Sequence, residues 1–327
     1  MSFSLTAYAK INLCLDVLGK REDGYHEVEM VMQTISLHDL LEFSLMEEPI
    51  VEGFGNIILT VAGADLPVDE NNLIVRAATL LQEYTGCHLG ARISLQKNIP
   101  IAAGLGGGSA DAAAALLGLN KLWQLGLTVA ELQVLASKIG SDVPFCIKGG
   151  TVLAQGRGEK LTALNPAPDM GLVLVKPTYG ISTAQVYKKL NLDYLANSHF
   201  GVFAEEKNDN LEIADWDAND ILKLRDLSKL RPAVYRMIKA MKEKRIKAVC
   251  QALFNVLEEP AMSMHPNLLE IKRILFEHGA EGVLMSGSGS TVFGITSNIA
   301  GAHLLARFLN PSLGTIYTAE LQVAREL

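Results

Sequence analysis

The hydrophobic pattern of this chain changes period several times along its length. Leu5–Val17 alternates, with Ala7, Ala9, Ile11, Leu13 and Leu15 on one face and Lys10, Asn12, Cys14 and Asp16 on the other. That period of two predicts a half-buried strand. Val31–Phe43, Ile57–Val61 and Ala91–Lys97 have the same strand character, and Lys20–Gly24 reads as a polar turn. Asn72–Tyr84 carries Leu73, Ala77, Leu80 and Leu81 at helical spacing, with Asn71 or Asn72 available as the N-cap. Ser109–Leu125 is an Ala/Leu-rich helix, for which Ser109 is the expected N-cap with Asp111 in the first turn. In Leu127–Ile139, Thr128 and Glu131 have the spacing of a capping box.

After Asn165–Asp169, the best linker candidate, comes a short apolar strand at Gly171–Lys176. Helical patterns follow at Thr183–Leu190, Arg231–Lys242 and Leu268–His278, and two strands, Gly282–Met285 and Thr291–Ile295, flank a Gly/Ser turn. Strands and helices mix without regular βαβ alternation, which predicts α+β domains rather than a doubly wound sheet. A length of 327 residues suits two of them, and the expected division is 1–160 and 161–327.

Composition narrows the class. With 49% hydrophobic and 20% charged residues the chain is neither disordered nor collagen-like. A net charge of −7 gives no broad basic surface for nucleic acid. Cys14, Cys87, Cys146 and Cys250 are far apart, so neither a zinc site nor a disulfide framework is indicated; they are expected to be small buried residues. No uninterrupted apolar stretch reaches the length of a bilayer span, and the first ten residues lack a signal pattern, so a cytoplasmic protein without a membrane partner is expected.

The candidate chemistry begins at Gly104-Leu105-Gly106-Gly107-Gly108-Ser109, a glycine loop between an expected strand and an expected helix. Glycine lets backbone approach a ligand closely, and successive amides at a helix start attract anions. The loop lacks the Gly-Lys-Ser/Thr of a Walker motif and the βαβ context of a dinucleotide fingerprint. Phosphoryl transfer to an alcohol also needs a group to orient the hydroxyl and positive charge near the reacting phosphoryl. Asp142, in Ser141-Asp142-Val143-Pro144, and Lys10 on the first strand are candidates, although each has a plainer reading: a cap or turn residue for Asp142 and a solvated lysine for Lys10. Tyr25 and His26, in Asp23-Gly24-Tyr25-His26, could stack on a base and bond its edge. The turn Ser286–Ser290 is either a flexible hairpin or a second ligand-facing loop.

Together these segments resemble the GHMP kinase superfamily. The similarity rests on Ala9–Leu13 (AKINL), Asp23–His26 (DGYH), Asp69–Ala77 (DENNLIVRA), Pro100–Ala110 (PIAAGLGGGSA), Ser141–Pro144 (SDVP) and Ser286–Ser290. It implies a two-domain α+β GHMP kinase fold, with mixed and antiparallel sheets and helices packed on them. AKINL with DGYH points to the branch that uses ATP to phosphorylate the 2-hydroxyl of a cytidine diphosphate ester of a branched polyol, in isoprenoid precursor biosynthesis. The alternatives are another small-alcohol kinase of the superfamily and a non-catalytic nucleotide-binding regulator.

The resemblance also implies residue roles. Lys10 and Asp142 become the catalytic pair flanking the substrate hydroxyl. Tyr25 and Tyr187 would sandwich cytosine, His26 would read its edge, and Asn12 and Thr183 would contact the polyol. Asn72 and Leu73 would lie by adenine. The ATP phosphates would lie in the loop formed by Pro100, Ile101, Ala102, Ala103, Gly104, Leu105, Gly106, Gly107, Gly108, Ser109 and Ala110. Ala110 stands where the superfamily loop carries a second serine. Mg²⁺ should accompany ATP, with Ser109 a possible ligand and no acidic ligand evident from sequence.

Overall fold

A long antiparallel pair, β1 (Ser2–Lys20) and β2 (His26–Met46), forms the spine of the structure, a computed structural model that describes residues 2–46, 57–191 and 230–325. The free edge of β2 is shared by two strands. Val28–Gln33 pairs with β5 (Thr151–Gly156), and Leu40–Met46 pairs with β4 (Gly90–Gln96). β3 (Ile57–Ala62) runs parallel to β4, and β6 (Lys160–Ala163) pairs with β5.

The expected half-buried first strand is corrected here. From Ala9 to Val17 both faces of β1 are buried, polar Lys10, Asn12 and Asp16 included. One face meets helices and the other meets the second half of the chain, so alternation in the sequence does not mark a solvent face.

The helices on this sheet are α1 (Leu73–Thr85), α2 (Gly107–Leu122), α3 (Val129–Ile139) and α4 (Val143–Lys148). Asn72 caps α1, its Oδ1 accepting from Ile74 N at 2.9 Å, and the Thr128–Glu131 capping box of α3 is present. α2 is buried nearly all round, with Ala112–Ala115 at zero exposure. Small side chains let it lie close to the sheet. At Gly118 a Cβ would stand 2.5 Å from the Phe43 ring.

Ser109 does not cap α2. The cap position is Gly106, at φ +69°, with no side-chain cap bond, and the helix starts at Gly107. A left-handed glycine lets the helix begin before the serine is reached. Asp111 therefore lies beyond the first turn and is buried, at 3% exposure.

The second sheet is antiparallel, in the order β11 (Thr315–Glu320), β7 (Gly171–Lys176), β10 (Val292–Thr296), β9 (Gly282–Met285). Around it lie α5 (Thr183–Lys189), α6 (Pro232–Lys242), α7 (Ile246–Ala252), α8 (Glu258–Met264), α9 (Asn267–Glu277) and α10 (Ile299–Phe308). The short β8 (Phe254–Asn255) leaves this half and pairs in parallel with Cys14 and Leu15 of β1.

The cysteines are unpaired. Cys14 and Cys146 are buried as expected, but Cys87 and Cys250 are only partly so. Among the described residues no helix is long and apolar enough to cross a membrane.

Candidate active site

The backbone of β1 holds the glycine loop directly: Lys10 N donates to Leu105 O at 3.0 Å. On the other side the loop meets the turn between β9 and β10. Ser286 Oγ donates to Gly104 O at 2.9 Å, and Thr291 N donates to Ala103 O at 3.2 Å. Gly104 has φ +74°, and a Cβ there would fall 2.1 Å from Ser286 O. Only glycine admits this approach.

The Ser286–Ser290 turn is itself anchored from β8. Asn255 Nδ2 donates to Met285 O at 2.8 Å and to Gly287 O at 2.7 Å. Its ligand-facing reading is supported by position, since Gly287 and Ser288 line the same cleft as the glycine loop.

That cleft has a volume of ≈ 1080 Å³. At its centre Lys10, 4% exposed, donates from Nζ to Asn12 Oδ1 at 2.8 Å and to Gly104 O at 3.0 Å. Asp142 Oδ2 lies 3.4 Å from the same nitrogen. Lys10 is therefore not a solvated lysine. Asp142 occupies the N-cap position of α4 but makes no side-chain cap bond, so its carboxylate faces the lysine rather than the helix amides. The expected alternation is what delivers Asn12 and Lys10 to the same face of β1.

Part of the lining is aromatic, from Tyr25, His26 and Tyr187. The His26 and Tyr187 rings lie 4.7 Å apart, tilted by 34°. Tyr25, 52% exposed, carries the Arg157 guanidinium over its ring at 4.8 Å. Burial lowers the pKa of His26, helped by Lys20, and so favours the neutral imidazole. Burial raises that of Tyr187, with Asp142 adding to the shift. Thr183 Oγ1 and Ser288 Oγ share a hydrogen bond of 2.7 Å, tying α5 to the Gly/Ser turn.

All the site residues expected from sequence line this one cleft except Ala110. Ala110 is 1% exposed and faces the core, where its N donates to Gly106 O at 2.8 Å. Asn72 lines the cleft, but its amide is engaged in structure, capping α1 and donating to Pro67 O at 2.8 Å.

Sequence reasoning missed Arg157 and a buried cluster behind the loop. Lys97 Nζ bonds Asp39 Oδ2 and, at 2.7 Å, Asp111 Oδ2. Burial pushes the Asp111 carboxyl up to about 8, against the pull of Lys97. One signal was available: Asp111 is the single charged residue in the apolar run Ala110–Leu119.

Comparison with known proteins gives the family. Residues 72–150 match the family model of the GHMP kinases N terminal domain, and residues 237–312 match that of the GHMP kinases C terminal. The chain is 48% identical, over 94% of its length and 93% of the relative's, to a 4-diphosphocytidyl-2-C-methyl-D-erythritol kinase of Pelotomaculum thermopropionicum. It is 43% identical to the Exiguobacterium sibiricum protein of that name, over 98% of both.

The chain belongs to the 4-diphosphocytidyl-2-C-methyl-D-erythritol kinase family of GHMP kinases.

The fold of this kinase follows the family. A crystal structure of 4-(cytidine 5'-diphospho)-2C-methyl-D-erythritol kinase superposes with TM-score 0.72 at 31% identity, covering 98% of this chain and 99% of that one. The L. major mevalonate kinase, in complex with R-mevalonate, shares the fold alone, with TM-score 0.68 at 16% identity over 98% and 96% of the chains. As a kinase of this family, the protein uses ATP.

Proposed function

We propose that the protein transfers the γ-phosphoryl group of ATP to the 2-hydroxyl of 4-diphosphocytidyl-2-C-methyl-D-erythritol, giving the 2-phosphate and ADP. The observation that carries this is the Lys10–Asp142 pair, set where the glycine loop meets the Gly/Ser turn and facing the Tyr25–His26–Tyr187 wall. Phosphoryl transfer needs positioning and charge compensation more than covalent chemistry from the protein.

In this reading the glycine loop and the start of α2 hold the ATP phosphates with backbone amides, since the first N–H groups of a helix have no partner within it. Asn72 and Leu73 flank adenine. Tyr25 and Tyr187 take the cytosine faces, neutral His26 bonds its edge, and Asn12 and Thr183 hold the polyol. Asp142 accepts the hydroxyl proton as the new O–P bond forms and the bond from the γ-phosphorus to the ADP oxygen breaks. Lys10 offsets negative charge on the transferred group.

Mg²⁺ is part of the proposal. Among the described residues no group of three or more His, Cys, Asp or Glu side chains could hold a metal alone. That suits Mg²⁺, which keeps waters and shares its coordination between phosphates and one or two protein oxygens. Ser109 and the unpartnered Asp111 Oδ1 fit as those protein oxygens. The ion would neutralise charge on the phosphates. The same reading includes a domain division near residue 160, a cytoplasmic setting and no nucleic-acid partner.

The test is ADP release from ATP and Mg²⁺ with 4-diphosphocytidyl-2-C-methyl-D-erythritol, against mevalonate and homoserine. Release with the cytidine ester alone is expected. Release with either control alcohol would overturn the cytidine assignment, and no release with any of the three would favour a regulator.

A further inference from the structure

The cluster behind the glycine loop sets one ammonium between two carboxyl groups. Asp39, at zero exposure, is fully satisfied: Oδ1 accepts from Asn98 N at 2.5 Å and Ile99 N at 2.8 Å, and Oδ2 accepts from Lys97. Lys97, 7% exposed, is thus already neutralised when its Nζ also bonds Asp111 Oδ2. One ammonium serves two carboxyl groups, so an ionised Asp111 would leave one negative charge uncompensated and out of water. Asp111 Oδ1 is buried with no hydrogen-bond partner. Such an atom is costly unless something else completes it.

The cluster is also in a telling place. Lys97 and Asp111 both line the cleft, and a Cβ on Gly107 would lie 3.0 Å from Lys97 Nζ, so the cluster sits at the opening residue of α2. A surplus carboxylate there would repel a polyphosphate on the same helix start. A divalent cation arriving with the nucleotide removes both problems.

We infer that Asp111 Oδ1 is the protein carboxylate ligand of the magnesium ion that accompanies the nucleotide, with Asp39 and Lys97 as the positioning residues that hold it. This rests on the reading that the glycine loop binds ATP phosphates. Lys97 pins the other oxygen of Asp111, and Asp39 keeps Lys97 from offering a full positive charge. The arrangement recruits the metal only when phosphates supply the remaining oxygens, which fits the way Mg²⁺ is bound in phosphoryl-transfer sites.

The experiment is calorimetric titration of the whole protein with a non-hydrolysable ATP analogue, with and without Mg²⁺, for the unmodified chain and Asp111→Asn. The variant keeps the shape and an oxygen for Lys97, and its fold is checked by thermal melting. Mg²⁺ should tighten binding to the unmodified protein at least about tenfold more than to the variant, a common cost of disturbing a metal site. A second readout needs no variant: the spectrum of Mn²⁺ in the protein–analogue complex should show an ion immobilised beyond what free nucleotide gives. Equal metal dependence in both proteins would overturn the inference, as would proton uptake on binding metal-free analogue with no effect of metal. Failure of the analogue to bind under any condition would instead bring down the nucleotide reading, and the inference with it.

Discussion

Gly104 and Ser286 lie so close that a single added methyl group would not fit between them: a Cβ on Gly104 would be 2.1 Å from Ser286 O. This contact joins the glycine loop of one half of the chain to the β9–β10 turn of the other. Gly104→Ala adds left-handed strain to a steric overlap with backbone, so it should destabilise the protein by more than about 1 kcal/mol. Thermal melting should show a lower Tm, and ATP should bind more weakly. An unchanged melt would mean the two loops part without cost.

Asp142 tests the reaction itself. Its side chain is 28% exposed and caps no helix amide, so replacing the charge leaves local structure in place. Asp142→Asn should lower kcat by about 10²–10⁴-fold, the usual contribution of a positioned proton acceptor, with little change in the KM for ATP. Steady-state kinetics on both substrates separates these effects. Near-normal kcat would remove Asp142 as the proton acceptor.

The aromatic wall gives a different signature. Tyr25 is 52% exposed, so Tyr25→Ala should leave Tm nearly unchanged. Base stacking on an aromatic ring contributes about 1–3 kcal/mol, so the KM for the cytidine substrate should rise about tenfold or more, while the KM for ATP stays put. Tyr25→Phe keeps the ring and should behave as the original. An unaltered KM in the alanine variant would take Tyr25 out of the cytosine site.

Local patterns carried much of this site. The caps of α1 and α3 were readable because Asn72 and the Thr128–Glu131 pair act within one helical turn. The glycine loop was readable because its backbone demands glycine, and the bounds of the strands Gly282–Met285 and Val292–Thr296 were readable within about one residue. The start of α2 was misplaced because Gly106 could open the helix without a side-chain cap. Long-range geometry was hidden. Nothing in the spacing of residues 39, 97 and 111 reveals that one buried ammonium joins them. Nor does the sequence show that Arg157, from the turn after β5, covers Tyr25. Lys10 and Asp142 are 132 positions apart by number, and only the fold, or the resemblance to a family, brings them within 3.4 Å.

His26 should make the site sensitive to acid. Burial lowers its pKa below the ordinary 6.5, so the folded protein favours the neutral ring while the unfolded chain binds the proton more readily. The stability tied to neutral His26 is therefore present above pH 6.5 and is lost as pH falls through the lower folded value. The unmodified protein should lose Tm between pH 7.5 and 5.5 by more than His26→Gln does, those pH values bracketing the ordinary histidine range of about 6.5. Protonation also removes the acceptor nitrogen of the ring. Over the same interval the KM for the cytidine substrate should rise in the unmodified protein and change less in His26→Gln. Parallel acid profiles for the two proteins, in both melting and KM, would show that His26 keeps its proton balance unchanged on folding and does not read the base as a neutral ring.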